Sequence, residues 1–264
     1  MDLQLKGKKA LVTGSTAGIG FATAQGLAAE GATVVVNGRG QQRVDAAIHE
    51  IRKLHPQSEV SGIAADVSNS AGCARLIREL DRVDILVNNM GIFEPKPFEK
   101  IPDEDWLRFF ETNVMSGVRL SRHYLSGMRD KNWGRIIFVS SESAVQIPAE
   151  MIHYGMTKTA QVAIARGIAE TLAGTNITVN SVLPGPTRSE GVEKFIQQMG
   201  AQSGADTAAF ENEFFKTIRP TSLLKRFETV NEVANMIVYL CSPLASGTTG
   251  AALRVEGGVV RAIL

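Results

Sequence analysis

Tyr154 and Lys158 are the residues of this chain whose types and spacing first suggest chemistry. The chain has three tyrosines, and Tyr154 alone has a lysine four residues on; Tyr124 is followed at that distance by Met128 and Tyr239 by Pro243. Residues four apart are neighbours on one face of a helix, so an ammonium can sit beside a phenol. That face continues through Gln161, Val162, Ala165, Ile168 and Leu172, which is largely apolar and should point inward. Polar groups at the inner end of a buried face need partners, because unpaired burial is costly. A free phenol titrates near ~10, and a close cation favours the phenolate and draws that value toward working pH. Such a pair suits proton transfer. Taken alone, the motif fits a pair on a solvated helix edge equally well.

A second group of residues suits phosphate. The apolar run Ala10, Leu11, Val12 and Thr13 reads as a buried strand closed by Gly14. Gly14, Gly18 and Gly20 follow, leading into a helical pattern of Ile19, Ala22, Leu27 and Ala28. Strand, glycine turn and helix is the arrangement in which backbone amides and a helix N-terminus hold a pyrophosphate. Tight turns also use glycine for geometry alone, so the cluster gains weight only from its place at the first strand-to-helix turn. The next strand, Thr33 to Val36, ends in Asn37-Gly38-Arg39. Dinucleotide sheets that take NAD place a carboxylate near this point for the ribose 2′-hydroxyl. No Asp or Glu lies between Thr33 and Gln42. Gly38 leaves room and Arg39 can pair with a 2′-phosphate, so NADP(H) is favoured over NAD(H).

The elements that must position these residues alternate strand and helix. A charged helix spans Gln41 to Leu54, stopped by Pro56, and a third strand from Val60 to Ala65 delivers Asp66-Val67. A helix ends near Leu80, and a fourth strand, Asp84 to Val87, delivers Asn88-Asn89-Met90-Gly91. One long helical segment is expected from Asp103 to Arg129, with Asn113 on its inward stripe. A buried amide there should be hydrogen-bonded, either for structure or to hold a water beside Lys158. The fifth strand, Gly134 to Val139, delivers Ser140 and Ser141; the sixth, Asn176 to Leu183, ends in Pro184-Gly185-Pro186-Thr187. Arg188 to Pro220 is polar and glycine-interrupted, with apolar helical pieces at Phe195-Ile196 and Phe214-Phe215, and reads as a substrate lid. Val230 to Cys241 is helical, and Ala251 to Val255 is a last strand. The fold class is therefore α/β, a doubly wound parallel sheet of about seven strands.

Composition narrows the class further. Hydrophobic residues make up 44% and charged residues 21% of 264, the balance of an ordinary globular chain, and without repeats or linkers 1–264 reads as one domain. A net charge of +1 gives no reason to invoke nucleic acid or an anionic membrane. Cys73 and Cys241 are far apart and lack metal-ligand spacing, which predicts a reduced compartment and no metal site. Met1 to Lys9 alternates leucine with polar residues and does not read as a signal peptide, and no run approaches the ~20 apolar residues of a membrane span. The expectation is a soluble, cytoplasmic protein.

In order along the chain, these residues closely resemble the short-chain dehydrogenase/reductase family, in its single-domain branch. The resemblance runs from Lys8 to Gly258. It rests on Thr13-Gly14-x-x-x-Gly18-x-Gly20, Asp66-Val67, Asn88-Asn89-x-Gly91, Asn113, Ser141, Tyr154-x-x-x-Lys158 and the segment Asn180 to Thr187. It implies a catalytic set of Asn113, Ser141, Tyr154 and Lys158. Tyr154 would be the general acid in ketone reduction or the base in alcohol oxidation, and Lys158 would lower its pKa and bond the nicotinamide ribose. Ser141 would orient the substrate oxygen, and Asn113 would hold a water relaying protons toward Lys158. Gly14, Ser15, Thr16, Gly18, Ile19 and Gly20 would line the cofactor phosphates and ribose, with Asp66 and Val67 against the adenine. Asn89 and Gly91 would sit near the ribose, and Pro184, Gly185 and Thr187 near the nicotinamide.

Met90 stands where the family usually has alanine, and Ala17 where many NADP(H)-binding members have a basic residue, so the cofactor reading rests on Arg39. Within the family the chain is most similar to 3-oxoacyl-thioester reductases and small-ketone or polyol dehydrogenases. The expected activity is NADP(H)-dependent interconversion of a ketone and a secondary alcohol. The alternatives are an NAD-dependent alcohol or polyol dehydrogenase and a non-catalytic dinucleotide sensor; sensors typically lose the Tyr or Lys kept here. Arg119, Arg122, Arg129 and Lys131 form a scattered candidate surface for an acyl carrier. Glu94, Glu142 and Glu150 could bond hydroxyl-rich or cationic substrates. Members of this branch are often homotetramers or dimers, and the apolar tail Gly258 to Leu264 fits such an interface.

Overall fold

The computed structural model describes residues 2–193 and 207–263. Seven strands form one parallel sheet: β1 Lys9–Val12, β2 Thr33–Gly38, β3 Val60–Ala64, β4 Ile85–Asn88, β5 Gly134–Val139, β6 Ile177–Pro184 and β9 Ala252–Val255. A separate pair, β7 Thr187–Arg188 and β8 Glu228–Thr229, ties down both flanks of the 188–227 segment. The large sheet has the order β3-β2-β1-β4-β5-β6-β9. Leu11 pairs in register with Val35 on one side and Leu86 on the other. The order reverses about β1 and β4, so the crevice outside their carboxyl ends is the natural ligand site of such a sheet.

Both faces of the sheet are covered, which is why its strands are near-continuous apolar runs and do not alternate with polar residues. On one face lie α1 Gly18–Ala29, α2 Gln41–Leu54 and α8 Val230–Cys241, burying Ala24, Leu27, Ile51, Val233 and Ile237 against Val12, Val34 and Val87. On the other lie α3 Ser70–Glu79, α5 Ser116–Lys131 and α6 Ile152–Glu170, burying Leu76, Leu120, Tyr124 and Ala165 against Leu11, Leu86 and Phe138. Each fully buried Leu, Ile or Val contributes on the order of 1.5–3 kcal/mol, so two such layers hold the strand ends in fixed relation. The Tyr124 hydroxyl is spent within the core, donating to the Leu80 carbonyl at 2.9 Å.

Strand and helix limits fall within a residue or two of those expected, with one difference in kind. The long helix expected from Asp103 to Arg129 is not a continuous α-helix. It consists of α4 Asp103–Phe110, a π-helical turn Glu111–Met115, and α5. Asn113 lies in that wide turn, a feature that concentrates at functional sites. Beyond β7, the described part of the 188–220 segment contains α7 Thr207–Glu213 and a second π-helical turn, Phe214–Ile218. The apolar piece at Phe195-Ile196 lies outside the described residues. Phe215 and Phe227 form a small core of their own, with Val192, Phe210 and Phe214 packed on it.

The first glycine turn shows how tightly the crevice is built. A Cβ at Gly20 would lie 2.5 Å from the Gly14 carbonyl oxygen and also strike the Asn89 amide, so only glycine lets α1 approach β1 this closely. The Gly20→Ala variant is expected to lose about 2 kcal/mol, lowering Tm by roughly 4–8 °C in a thermal melt.

Candidate active site

A cleft of about 790 Å³ opens at the carboxyl end of the sheet. One wall is the glycine turn. Gly14 and Gly18 both take positive φ (60° each), the conformation that favours glycine. The residue before α1, Ala17, gives the helix no side-chain cap, so its first N–H groups face the cleft without a protein partner from that position. An uncapped helix start beside a glycine turn is a seat for an anion. Thr16, Gly18 and Ile19 line it, with Arg39 and Arg43 at the outer end.

At the other end β5 delivers Ser141, and α6 presents Tyr154 and Lys158 on one face. Lys158 is buried. Its ammonium donates to the Val139 carbonyl at 2.9 Å and to Gln161 Oε1 at 3.1 Å, and lies 5.6 Å from the centre of the Tyr154 ring. Burial lowers the Lys158 pKa to about 7. The phenol of Tyr154 lies in the cleft, with Phe93 edge-on at 6.4 Å. Burial pushes it above the ordinary tyrosine value; the Ser141 hydroxyl bonded to it works the other way, Glu142 adds to the rise and Arg219 opposes it. The expected lowering of the phenol by Lys158 is therefore absent from the protein alone. The ammonium is turned to carbonyl oxygens and is itself weakened by desolvation.

Asn113 is fully buried and does not reach the cleft. Its side chain is consumed by structure: Oδ1 accepts from Ile92 N at 2.8 Å, and Nδ2 donates to the Ile92 carbonyl and to Thr157 Oγ1, each at 3.0 Å. Its backbone carbonyl accepts from Gln161 Nε2 at 2.5 Å. The Gln161 amide links Asn113 to Lys158 directly, accepting from the ammonium and donating to the Asn113 carbonyl. Sequence reasoning placed Gln161 on the inward face but gave it no role. The sign that could have found it is one amide on an otherwise apolar stripe, one helical turn from Lys158.

The other expected cofactor residues divide into two groups. Gly14, Thr16, Gly18, Ile19, Arg39, Asn89, Gly91, Pro184, Gly185 and Thr187 line the cleft with Ser141, Tyr154 and Lys158. Ser15, Gly20, Asp66 and Val67 are not among the lining residues. The Ser15 hydroxyl points inward, donating to the Val12 carbonyl at 2.6 Å and accepting from Asn37 N at 3.0 Å. Val67 is buried in the core, and Asp66 Oδ1 accepts from Ser68 N at 3.2 Å. Gly38 makes room for the protein itself: a Cβ there would lie 2.5 Å from the Thr16 methyl.

Residues missed by the sequence reading sit around the rim. Arg43, one helical turn beyond Arg39, pairs with Glu190 at 2.6 Å. Glu142 and Glu150 do line the cleft, but both are held by Arg219 at 3.0 Å. Glu94 does not line it and pairs with Arg108 and Lys96. In the candidate acyl-carrier surface, Arg119 pairs with Glu111, Lys131 pairs with Asp84, and Arg129 bonds the Thr171 carbonyl. Among the described residues no group of His, Cys, Asp and Glu is placed to hold a metal ion, and no helix is long and apolar enough to cross a membrane.

Residues 14–260 match the family described as enoyl-(acyl carrier protein) reductase. The chain belongs to the short-chain dehydrogenase/reductase family. It is an oxidoreductase of that family, with the parallel dinucleotide-type sheet its members share. It is 50% identical over 266 residues to the uncharacterized oxidoreductase YvrD of Bacillus subtilis (strain 168), covering 100% of both chains. It is 32% identical over 263 residues to the 3-oxoacyl-[acyl-carrier-protein] reductase FabG of Aquifex aeolicus (strain VF5), covering 98% of this chain and 100% of that one. Among solved structures it resembles L-sorbose reductase from Gluconobacter frateurii complexed with NADPH and L-sorbose, at a TM-score of 0.94 and 32% identity over 100% of both chains.

The Gln161 bridge has a measurable consequence. Replacing it in Gln161→Leu leaves the Asn113 carbonyl and the Lys158 ammonium each short of a partner, at about 1–3 kcal/mol apiece. Because the folded-state pKa of Lys158 is lowered, the unfolded chain holds more protons between pH ~7 and ~10.5, and stability rises with pH there. Urea unfolding is expected to show Gln161→Leu losing about 2–4 kcal/mol at pH 7, with part regained by pH 9 as the lysine becomes neutral.

Proposed function

We propose that this protein is an NADP(H)-dependent reductase that converts a small ketone to a secondary alcohol, with Tyr154 as the general acid. One observation carries the reading. Tyr154, Ser141 and Lys158 open onto the same cleft as an uncapped helix N-terminus and Arg39. When bound, the dinucleotide supplies a hydride to the carbonyl carbon. The α1 N-terminus and the Gly14–Ile19 turn would hold its pyrophosphate, and Arg39, with Arg43, its 2′-phosphate. Lys158 has three N–H donors and two are engaged, which leaves one for a ribose hydroxyl.

The chain's own residues manage one proton. Ser141 orients the carbonyl oxygen, and Tyr154 gives its proton to that oxygen as negative charge develops there. A phenol whose pKa is raised by burial stays protonated at neutral pH, which is the state a general acid needs. Phe93, Met151, Val192, Phe214 and Ile218 give the substrate end of the cleft an apolar rim, with Ser143 and Glu150 as polar groups. The likeness to an L-sorbose reductase supports a compact hydroxylated ketone. The described ends of the 188–220 segment fit the rim of a substrate lid on a single-domain protein. The exposed Leu223 and Ile263, beside the open edge of β9, fit a homo-oligomer.

Fluorescence titration is expected to show NADPH binding tenfold or more tightly than NADH, with the preference lost in Arg39→Asp, since a charge-assisted phosphate contact is worth about 1.5–3 kcal/mol. Equal binding of both would leave Arg39 a surface charge and shift the reading to an NAD-dependent dehydrogenase. In a screen of ketoses and 3-oxo esters with NADPH, Tyr154→Phe is expected to lose about 10²–10⁴ in kcat while retaining cofactor binding. Full turnover by that variant would end the acid–base assignment.

A further inference from the structure

A buried ion pair stands against the proposed catalytic serine and has no part in the mechanism above. Glu142 follows Ser141 directly and is only 4% exposed. Its Oε2 accepts from Ser141 Oγ at 2.5 Å, from Ser143 N at 2.6 Å and from Ser143 Oγ at 2.8 Å. Its Oε1 accepts from Arg219 Nε at 3.0 Å. Arg219 is also buried, and its Nη1 reaches Glu150 at 3.0 Å. It stands just beyond the second π-helical turn, so the pair joins the serine turn to the far flank of the 188–220 segment.

We infer that the Glu142–Arg219 pair is a positioning device that sets how firmly Tyr154 holds its proton and where Ser141 directs its single hydroxyl hydrogen. A serine has one hydrogen to give. Directed to Glu142, it leaves Ser141 an acceptor for the phenol and favours the protonated acid. Turned into the cleft, it orients the carbonyl oxygen before proton transfer and stabilises the Tyr154 phenolate once the proton has gone. An unpaired Glu142 would monopolise that hydrogen and place a full negative charge beside the forming phenolate. Arg219 offsets the charge and weakens the hold, so the hydrogen can turn. Of the charged groups lining this end of the cleft, Glu142 comes from the serine turn, Arg219 from the segment after α7, and Lys158 from the phenol's own helix, 5.6 Å from its ring. Glu150 acts on them through Arg219, while Glu94, Lys96, Asp105 and Arg108 form a cluster of their own. The pair is far more than a lid tether on this view, because removing either charge moves Tyr154 in an opposite direction.

The inference rests on the acid–base reading of Tyr154, and the experiment separates the two. The full chain carrying ¹³Cζ-tyrosine, saturated with NADP⁺, is titrated by NMR from pH 6 to 11, with Tyr154 assigned by its absence in Tyr154→Phe. Arg219→Met is expected to raise the Tyr154 titration by about one pH unit, and Glu142→Gln to lower it by a similar amount. A change of packing alone would not move the two variants in opposite directions. No displacement in either, displacement of both in one direction, or a phenol that stays protonated through pH 11 in Glu142→Gln overturns the inference. Failure of the reading itself is seen separately, as undiminished turnover by Tyr154→Phe. Each variant is checked for NADP⁺ binding, and if Arg219→Met does not fold, Arg219→Gln takes its place with the same direction expected.

Discussion

The structure depends on one buried charge. Lys158 is enclosed by the carboxyl end of β5, its own helix and the π-helical turn at Asn113. It is kept there by the Val139 carbonyl and by Gln161, which in turn grips the Asn113 carbonyl. Taking an ammonium out of water is expensive unless its donors are met. These contacts therefore fix three elements in mutual position: the strand that delivers Ser141, the helix that carries Tyr154, and the helix that runs beneath them. The two apolar layers of the sheet make the strand ends rigid, and the lysine makes the register between strand end and helix specific. Burial lowers its own pKa to about 7, which shows how much of the packing energy is set against solvation at this point.

The cleft is electrically uneven along its length. Arg39 and Arg43 stand at the end beside the glycine turn, where Glu190 pairs with Arg43, while at the end beside Ser141 the carboxylates of Glu142 and Glu150 are matched by Arg219 and Lys158. An excess of positive charge therefore stands at the first end, and the charges at the second offset one another. This division suits a polyanionic cofactor lying with its phosphates outward and a neutral substrate meeting it near Tyr154. The basic residues on α5 are engaged within the chain, Arg119 by Glu111, Lys131 by Asp84 and Arg129 by the Thr171 carbonyl.

Much of this was legible in the sequence because the controlling signals are local. Uninterrupted β-branched runs marked strands covered on both faces, and glycines at the first turn marked a close backbone approach. The Tyr154–Lys158 spacing placed both groups on one helical face. What escaped reading was set by partners distant in the chain. The side chains of Ser15 and Asn113 are bonded to Asn37 and Ile92, partners far away in the chain, and Arg219 lies 77 residues from the glutamate it neutralises. The direction of the Tyr154 shift was also missed. Spacing shows that a cation is near; it does not show that the cation is turned away and that desolvation outweighs it.

The wide turn at Glu111–Met115 carries a lesson about how this helix pair can change over evolutionary time. One residue advances an α-helix by about 100°, so a single extra residue rotates everything after it by more than a quarter turn. Phe109 faces inward before the turn; Leu120, Tyr124 and Met128 face inward after it. A one-residue deletion here would carry away the Asn113 bridge and also swing the buried face of α5 toward solvent. Thr112, Asn113 and Val114 are buried within the turn, so its side chains and its length are constrained together. The count of residues between Phe109 and Leu120 is thus constrained by the core on one side and by the lysine on the other.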